Sequence, residues 1–557
     1  MRNTRMRAAV AAASLTTLAL GLAACGSGGD DGGGDGASTA AAATIDAEHS
    51  VGAMDDFAVG SAFKATEPVT FSLMYRDMPD YPVKDDWSVF QHLESDRNVT
   101  FDRTDIPLAD WDQKKALLIG SGEASDLMPV TYAGSETQFV SGGAILPVSD
   151  YLDYMPNFAD KIEKWGLQED LDNLRQEDGK FYLLPGLREK PDVQYSVMIN
   201  DDMWKKAGIT EDPKTWDEFG EDLKKVQEAN PDVTYAFSDR WNENPNPLGS
   251  LLNVMAPNFD TAAGWGYNNA HYDEDAGAFE LTGTTDAYKQ LVETVHGWVA
   301  DGTMDPEITQ SDDQAKQKFV SGKSAAVSAN TQELTAYRTA IEDAGKKFST
   351  RLLTVPGGPA GSNVPSGRFT SGVMISSDAA DKPYFKALLQ YVDWQYFSDE
   401  GIEFGTFGVE GETYSAGSDG TPALNEDITW GPMNPGAEKF LNKDFGYSNG
   451  VFVLANGSSQ KYIQAMMPDE IKDWTNTVLD AKTMLPVAPA ARLDEMELEQ
   501  NTLLDTQIKD AVAAATAAFI TGKKPLEEWD AYVAQIEGLS SQQFIDTMNT
   551  ALARQEG

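Results

Sequence analysis

From residue 66 onward, short apolar runs alternate with amphipathic stretches. The segments "PVTFSLMY", "NVTFDRTDI" and "SDLMPVTY" are typical of strands, and "LADWDQKKALLIGSG" is typical of a helix that glycines end. A further helix is predicted over residues 87–94, between the first two strands. This alternation predicts an α/β fold whose mainly parallel sheet carries helices on its faces.

In sheets of this kind, ligands bind beyond the carboxyl ends of the strands. Tyr75 and Arg76 stand at one predicted strand end, and Tyr132, followed by Ala133 and Gly134, stands at another. Their position makes Tyr75, Arg76 and Tyr132 candidate ligand-binding residues.

A second set of alternating elements begins at "YSVMINDDMWKKAGI". Between Thr285 and Asp301, apolar residues recur at helical spacing, which predicts one buried stripe and places Trp298 in a core. Another long helix is predicted over residues 381–398, and the chain beyond Asn501 is predicted to be almost wholly helical. These elements indicate more than one domain in a chain of this length.

The first 24 residues have the three parts of an export signal. Arg2, Arg5 and Arg7 form a basic start, an alanine-rich apolar run follows, and small residues precede Cys25. Cys25 is the only cysteine in the 557 residues, which excludes a disulfide within the chain. The run "LAAC" resembles the lipobox of bacterial lipoproteins, which implies that Cys25 becomes the first mature residue and carries lipid. The alternative is an ordinary cleaved signal with an unrelated buried cysteine.

Residues 25–60 are predicted to form a flexible tether. The segment "GSGGDDGGGDGASTAAAA" has almost no apolar bulk, so it cannot offset the entropy of ordering. No segment after the signal reaches the roughly 18 uninterrupted apolar residues of a membrane span. We therefore expect the lipid on Cys25 to be the membrane anchor, on the outer face of the cell membrane.

The chain is strongly acidic, with a formal net charge of −45. Nucleic acid and anionic membrane surfaces are therefore poor partners for the folded body, because a polyanion needs a basic footprint. A neutral ligand is compatible with this charge, and an anionic ligand would need local arginines. The simpler explanation is that the acidity only keeps an extracellular protein soluble.

Several segments, in their order along the chain, resemble family 1 extracellular solute-binding lipoproteins of ABC importers. They are "FYLLPG" with "YSVMINDDMWKKAGITEDPKTWDEF", then "WVADGTMDPE", "QKFVSGKSAAVSAN", "TSGVMISS" and "YVDWQYFSDEGIEFGTFGVEGETY". The tail "AAFITGKKPLEEWDAYVAQIEGL" is similar to the last helices of the long, roughly 500-residue branch of that family. The resemblance implies a monomer that captures a carbohydrate, typically an oligosaccharide, and delivers it to a membrane permease.

The resemblance also implies two α/β lobes joined by a hinge, with the ligand in the cleft between them. It divides the body into residues 61–190 and 348–399 for the first lobe and 191–347 and 400–557, with the C-terminal helices, for the second. We expect the chain to cross between lobes near residues 186–196, 345–350 and 397–402.

A calcium loop that is common in that branch is not evident in this chain. The corresponding region reads "EANPDVTYAFS", in which Asp232 is the one acidic residue downstream of Glu228. Calcium needs about six oxygen ligands, so the site looks lost, and "YDEDAG" is better explained as a turn between two strands. We expect no metal and no other cofactor.

A sugar ligand needs polar side chains at its hydroxyls and aromatic rings beneath its C–H faces. Two loops have this composition: "SDRWNENPNPLGS" contains Arg240 and Trp241, and "TAAGWGYNNA" contains Trp265 and Tyr267. Neither tryptophan lies on a helical apolar stripe, although most tryptophans of a body this size pack in a core.

Further candidates lie near the expected crossings. They are Arg188 near the first crossing and Phe407 near the last, and the alternative for Arg188 is an exposed arginine paired with Glu189 or Asp192. Elsewhere, Arg368 or Thr370 is a candidate at the edge of the strand "FTSGVM". If Arg76, Arg188 and Arg240 converged in one cleft, they would favour saccharides that carry uronates.

The competing functional class is a secreted carbohydrate-active enzyme, such as a glycosidase or a lyase. A glycosidase needs two carboxylates at a set separation, but 88 acidic residues supply such pairs by chance. The four histidines are scattered without metal-ligand spacing, and no nucleophile-elbow, P-loop or zinc-protease motif is present. We therefore expect a binding protein and no catalytic residue.

Overall fold

The computed structural model describes residues 44–240, 248–365 and 367–556. Residues 42–557 form one compact unit, and the description below concerns its described part. The export signal over residues 1–24, Cys25, the tether up to residue 43 and Trp241 lie outside the described residues.

The strands within the described residues are short and belong to several sheets. Their bounds are β1 (Val69–Asp77), β2 (Val99–Pro107), β3 (Leu127–Thr131), β4 (Leu184–Leu187), β5 (Tyr195–Asn200), β6 (Ala270–Asp273), β7 (Ala278–Leu281), β8 (Ala326–Asn330), β9 (Thr350–Leu352), β10 (Asn363–Val364), β11 (Phe369–Ile375), β12 (Tyr414–Ala416), β13 (Pro422–Leu424), β14 (Ile428–Thr429), β15 (Lys439–Phe440) and β16 (Thr483–Met484).

Helices lie between these strands and make up most of the C-terminal region. Their bounds are α1 (Ser88–Arg97), α2 (Trp111–Gly120), α3 (Pro156–Trp165), α4 (Gln168–Asp172), α5 (Asp201–Lys206), α6 (Trp216–Ala229), α7 (Gly249–Met255), α8 (Asp286–Ala300), α9 (Asp312–Val320), α10 (Thr331–Asp343), α11 (Phe385–Phe397), α12 (Asp399–Phe407), α13 (Leu441–Asp444), α14 (Gly450–Val453), α15 (Gln460–Ala465), α16 (Asp469–Ala481), α17 (Glu495–Ile520), α18 (Trp529–Glu537) and α19 (Ser541–Glu556). No helix of the described residues combines the length and the apolar character that a membrane crossing requires.

The first lobe is built on a five-stranded sheet of order β2-β1-β3-β11-β4. β1 runs parallel to β2 and β3, and β11 runs antiparallel to β3 and β4. Separate apolar clusters contain alternate residues of β1, with Phe71 and Tyr75 in one and Met74 in the other. The predicted α/β fold with a mainly parallel sheet is therefore confirmed, with β11 as the antiparallel exception.

The strand register of this sheet brings several strand ends to one edge. Leu73 pairs with Leu127, so that Asp77 at the end of β1 is level with Thr131 at the end of β3. Thr131 pairs with Gly372, and Leu187 at the end of β4 pairs with Phe369 at the start of β11. The chain leaves the lobe from this same edge after Leu187.

The second lobe is built on a three-stranded sheet of order β8-β5-β9, in which β5 is antiparallel to both neighbours. Tyr195 at the start of β5 pairs with Asn330 at the end of β8. The incoming chain therefore meets this sheet at the edge where β8 ends. α17, α18 and α19 complete the core of this lobe, where Phe519 and Trp529 share a cluster with Tyr288 of α8.

The hydrophobic clusters correct the expected course of the chain between lobes. Phe407 and Met466 belong to the first cluster, whereas Ile471 and Val478 belong to those of the second lobe. Residues 400–466 therefore pack with the first lobe and not with the second, because α12 continues the packing of α11. The crossing predicted at residues 345–350 is placed too early in the sequence. β9 at residues 350–352 still pairs with β5 of the second lobe, so the chain leaves that lobe only after β9.

The predicted flexible tether is too long at its C-terminal end. Ile45, Met54 and Phe57 pack against the first-lobe core. The backbone N–H of Met54 donates to Gln390 Oε1 of α11 at 2.8 Å. Unlike the glycine- and alanine-rich part of the segment, these residues have large apolar side chains whose burial offsets the entropy of ordering.

Candidate functional site

The chain passes from the first lobe to the second over residues 188–194, between β4 and β5, and we call this segment the passage. Two groups of residues flank it. We call "first edge" the residues at or directly after the ends of β1, β3 and β4, namely Arg76, residues 132–136 and Arg188. We call "second edge" the group of Tyr195, Arg240, Trp265, Asn330 and Glu333. Residues 237–240 run beside β8, because Phe237 bridges Ala326 in parallel and Asp239 Oδ1 accepts from the Ser328 N–H, which brings Arg240 to the end of β8.

Tyr132 is the exposed aromatic residue of the first edge, with 59% of its surface accessible. The end of β3 that leads to it contains Val130, a buried residue whose φ is 57°. A β-branched residue rarely adopts a positive φ, and such strain costs about 1–3 kcal/mol. The Val130 carbonyl accepts hydrogen bonds from Trp111 Nε1 at 3.2 Å and Lys115 Nζ at 3.0 Å, which hold the strained end of β3.

Lys115 is an uncommon residue for the interior of a lobe. Its side chain is 5% exposed, and Nζ also donates to Thr131 Oγ1 at 3.3 Å. Burial lowers the pKa of Lys115 to about 8 because the charged form loses its hydration, and the positive charge of Arg76 adds to this effect. Lys115 therefore ties α2 to the backbone beneath Tyr132.

The two arginines of the first edge differ in their engagement. Arg188 Nη1 donates to the carbonyls of Leu187 at 3.1 Å and Asn456 at 3.0 Å, so it joins the start of the passage to the chain beside α14. Arg76 is half-buried and lies close to Gly450, where an added Cβ would come 2.9 Å from its Nη2. Arg188 therefore holds the backbone of the passage, and Arg76 is the more available cation of the two.

An aromatic pair forms the apolar part of the second edge. The rings of Trp265 and Tyr195 meet edge to face at 5.3 Å, and both residues are half-buried. The Trp265 indole lies directly over Gly249 at the start of α7, where any side chain would collide with it. That Trp265 lines a cleft between the lobes stays a prediction, and the ring also packs locally.

The charged part of the second edge is internally paired. Arg240 is 5% exposed and forms a bidentate ion pair with Glu333 of α10. The distance from Nη2 to Oε2 is 2.6 Å. The carboxylate of Glu333 also accepts from the Asn330 N–H at 2.9 Å, within a capping box at the start of α10. The adjacent carboxyl of Asp239 is buried, and burial raises its pKa. Arg240 is thus neutralised by its own lobe.

Four predicted site residues lie in cores instead. Tyr75 is fully buried, and its hydroxyl accepts from Asn449 Nδ2 at 2.6 Å. Tyr267 is buried and donates to Asn269 Oδ1, while Phe407 is fully buried beside Tyr414. Strand alternation explains Tyr75, since Arg76 and Tyr75 face opposite sides of the first sheet.

The fourth of these residues is Arg368, which is buried at the end of α3. Its guanidinium donates to the carbonyls of Trp165 and Gly166, at 2.8 and 2.9 Å, and to Asp170 Oδ2 at 3.0 Å. Arg368 therefore completes the C-terminal end of a helix, where cations are favourable, and it is not presented at either edge.

The structure also corrects the idea of a free arginine cluster. Within the described residues, Arg240 is ion-paired with Glu333 and Arg188 donates to two backbone carbonyls, whereas Arg76 has neither an ion pair nor a side-chain hydrogen bond. An arrangement of this kind does not favour a ligand that carries several carboxylates.

Sequence reasoning missed Lys115, Tyr195 and Glu333, although the signals were present. Trp111, Lys115 and Ile119 form a buried stripe at helical spacing, which marks the lysine as inward-facing. The run from Asn330 to Glu333 has the spacing of a capping box. For Tyr195, the signal was its place at the first residue of a buried strand.

No group of three or more metal-ligating side chains occurs among residues 44–240, 248–365 and 367–556. In "YDEDAG", β6 and β7 form an antiparallel pair, and Asp273 Oδ1 accepts from the N–H groups of Asp275 and Ala276. The expected turn between two strands is therefore confirmed there.

Residues 79–396, more than half of the chain, match the family model described as bacterial extracellular solute-binding protein. The chain belongs to this family. No curated protein is similar enough to match it. The two-lobe architecture described above is that of periplasmic-binding-protein-like solute-binding proteins, as the family resemblance implied.

Solved structures support the same fold for this solute-binding protein. An extracellular solute-binding protein from Bifidobacterium longum subsp. infantis superposes with a TM-score of 0.67 at 16% identity, covering 88% of this chain and 99% of that one. An HMO-binding, ABC-transporter-associated solute-binding protein from Bifidobacterium longum infantis gives 0.62 at 19% identity, with 87% and 98% covered. The S. pneumoniae ABC-transporter substrate-binding protein FusA, in complex with kestose, gives 0.63 at 20% identity, with 88% and 99% covered. At these identities the likeness shows the fold.

Proposed function

We propose that this solute-binding protein captures an oligosaccharide in the cleft between its lobes and delivers it to the permease of an ABC importer. The observation that carries the proposal is the pair of edges, with exposed Tyr132 on one side of the passage and the Trp265–Tyr195 pair on the other. Aromatic faces of this kind stack on the C–H faces of sugar rings. Relatives that bind HMO and kestose share the fold.

The ligand acts by stabilising the closed arrangement of the lobes. A sugar that contacts both edges favours the state in which they are close, and it shifts the equilibrium only by its difference in affinity for the two states. Because Arg240 and Glu333 neutralise each other, we propose a neutral or weakly charged saccharide as the ligand and not a polyuronate.

A glycan-library screen tests this proposal on the purified body of the protein. Thermal shift and product formation are followed in the same wells, and we expect one class of oligosaccharide to raise the Tm without being cleaved. Absence of any stabilising glycan would contradict the proposal. Cleavage that stops when a single carboxylate is replaced would instead indicate a carbohydrate-active enzyme.

We also propose that lipid on Cys25 anchors the protein, as a monomer, to the outer face of the cell membrane. Two or more acyl chains on one terminus anchor a protein stably, since each buried methylene contributes about 0.8 kcal/mol. In the test, Cys25→Ala is expressed beside the unchanged chain in cells that process lipoproteins. We expect the variant to lose its acyl mass and its membrane fraction, and retention of both would contradict the anchor.

A further inference from the structure

A loop of the second lobe contacts the first lobe. It consists of residues 485–493, between β16 and α17, and we call it the strap. At its start, the Leu485 N–H donates to the Val364 carbonyl at 3.0 Å, and β16 pairs with β10. β10 is attached to the second lobe, because the Asn363 N–H donates to Asn258 Oδ1 at 2.9 Å. The strap ends at α17, so it leaves the second lobe and returns to it.

Helix α19 fixes the C-terminal half of the strap to the second lobe. Gln555 Nε2 donates to the Ala490 carbonyl at 2.9 Å, and Arg554 Nη2 donates to the Arg492 carbonyl at 3.1 Å. The guanidinium of Arg554 also forms a bidentate ion pair with Glu497 of α17, with both distances at 2.6 Å. One side chain therefore holds the strap and the helix that follows it in a fixed relation.

The composition of the strap makes it stiff. Pro486 and Pro489 each have a φ that the proline ring restricts to about −65°, so the segment has fewer accessible conformations than most loops. Ala491 packs against the hydrophobic core of the second lobe. The strap is therefore expected to move with the second lobe as one body.

The contacts of the strap with the first lobe are hydrogen bonds. Asn173, directly after α4, uses both ends of its amide: Nδ2 donates to the Ala488 carbonyl at 2.7 Å, and Oδ1 accepts from the Ala490 N–H at 3.1 Å. Arg492 Nη2 donates to the Asp172 carbonyl at 3.1 Å. Three hydrogen bonds thus join the two lobes at a place other than the passage.

The lobes are not closely packed around these bonds. A cavity of about 210 Å³ lies between residues 490–493 of the strap, residues 173–176, and Ala133 and Gly134. Protein cores contain few voids larger than a water molecule, so this contact does not resemble a core. Because Ala133 and Gly134 directly follow Tyr132, the strap meets the first lobe beside the first edge.

We infer that the strap stabilises the arrangement of the lobes in this structure through its hydrogen bonds to Asn173 and Asp172, and that the cleft opens wider when these bonds break. A rotation that moves the two edges apart separates Asn173 from the strap, since the strap is fixed to the second lobe at both ends. The bonds break without exposing a hydrophobic core, so the contact is reversible. A sugar that favours the same arrangement has less free energy to supply.

Distances between two spin labels test this inference without any ligand. Cys25 is the only cysteine, so a chain that lacks the export signal and carries Cys25→Ser is labelled only at introduced sites. Gln113→Cys on α2 and Ala336→Cys on α10 place one exposed label on each lobe. Pulsed electron paramagnetic resonance then measures the distribution of distances between the lobes.

Two variants of this labelled protein break the strap contact, and a third is the control. Asn173→Ala removes two of the three hydrogen bonds, and Asn173→Asp keeps the side-chain volume but places an acceptor against the Ala488 carbonyl. The control is Gln168→Ala, which removes an exposed amide of α4 that donates to Asp172 Oδ1 at 3.1 Å within the first lobe. Thermal unfolding of each variant is recorded, so that distances are compared among folded proteins.

We expect both Asn173 variants to shift the distribution to longer distances, with the population of the wider arrangement rising on the order of tenfold, because two hydrogen bonds are lost. Gln168→Ala should match the parent. The inference is overturned if the Asn173 variants match the parent as well, or if Gln168→Ala shifts as much as they do.

The same labels separate this inference from the proposed function. The glycan that most raises the Tm should bring the parent and all three variants to one short distance, because it contacts both edges. If no glycan shortens the distance in any of them, the proposed function fails, and the comparison without ligand still decides whether the strap holds the lobes.

Discussion

The first and second edges contain similar residues but engage them differently. At the second edge, Arg240 and Glu333 neutralise each other, and Trp265 packs on Gly249 and Tyr195. At the first edge, exposed Tyr132 follows the strained end of β3, which buried Lys115 holds. The second edge is therefore fixed in place by contacts within its own lobe. The first edge presents Tyr132, whose side chain is not needed to hold the lobe together.

The comparison predicts that the second edge is the more important one for stability. Glu333→Ala leaves Arg240 buried beside Asp312, whose Oδ2 lies 3.6 Å away and is too distant for a hydrogen bond. We expect the free energy of unfolding to fall by about 3 kcal/mol, as for other broken buried ion pairs. Chemical denaturation measures this change. As a control, Glu342→Gln, which changes an exposed acid of α10, should alter the free energy of unfolding by less than about 0.5 kcal/mol. An equal loss of stability in both variants would contradict the structural importance of the Arg240–Glu333 pair.

At the first edge, Lys115 predicts a dependence of stability on pH. Its pKa is about 8 in the folded chain and about 10.4 in the unfolded chain, so between these values the unfolded state binds more protons. Stability supplied by this group therefore rises with pH from about 8 to 10, by about 2 kcal/mol.

The measurement is the difference between the parent protein and Lys115→Met across that pH window, which removes the contribution of the buried tyrosines. We expect the rise to be absent from the variant. Lys114→Met is the matched control, because Lys114 is exposed beside Asp110. A parallel pH profile for Lys115→Met and the parent would show that Lys115 is not held as described.

Trp265→Ala should affect both stability and binding. The ring is half-buried, so we expect stability to fall by about 1–2 kcal/mol, less than for a fully buried tryptophan, with a comparable loss of sugar affinity. Trp265→Phe keeps an aromatic face and should recover part of both. Loss of stability with full sugar affinity would assign the ring to the lobe alone.

Tyr132→Ala should weaken sugar binding without affecting stability, and its expected effect is the smallest of these predictions. Because Tyr132 is exposed, the free energy of unfolding should stay within about 0.5 kcal/mol of the parent value, while sugar affinity falls by about 1 kcal/mol. Titration calorimetry with the library's best glycan measures the affinity, and Leu117→Ala, another exposed apolar residue of the first lobe, is the control. If Tyr132→Ala and the parent bound the glycan with equal affinity, the first edge would not be part of the binding site.

Much of the architecture could be predicted from the sequence, because it depends on local periodicity. The predicted helix from Thr285 to Asp301 is α8, capped by the Thr285 side chain, and Trp298 is buried in its core as expected. The predicted strands β1, β2 and β3 and the helical C-terminal region are also confirmed. In each case apolar spacing and nearby capping residues determine the element.

The site was harder to predict, because its residues come from distant segments. Trp265 and Tyr267 share one glycine-rich loop, yet one ring reaches the second edge and the other is buried against Tyr288. Phe407 looked like a residue of a late crossing, but α12 folds back on α11 and buries it. A one-dimensional pattern does not record which neighbour covers a side chain.

The sequence by itself determined the alternation of strands and helices, the two-lobe family and the residue types available for a sugar. Only the tertiary structure decided which charges remain available: Glu333 neutralises Arg240, and the end of α3 engages Arg368. The physical reason is the sequence distance over which each interaction acts. Periodicity and capping act over a few residues, whereas the partner of a buried charge is set by segments that meet only in the folded chain.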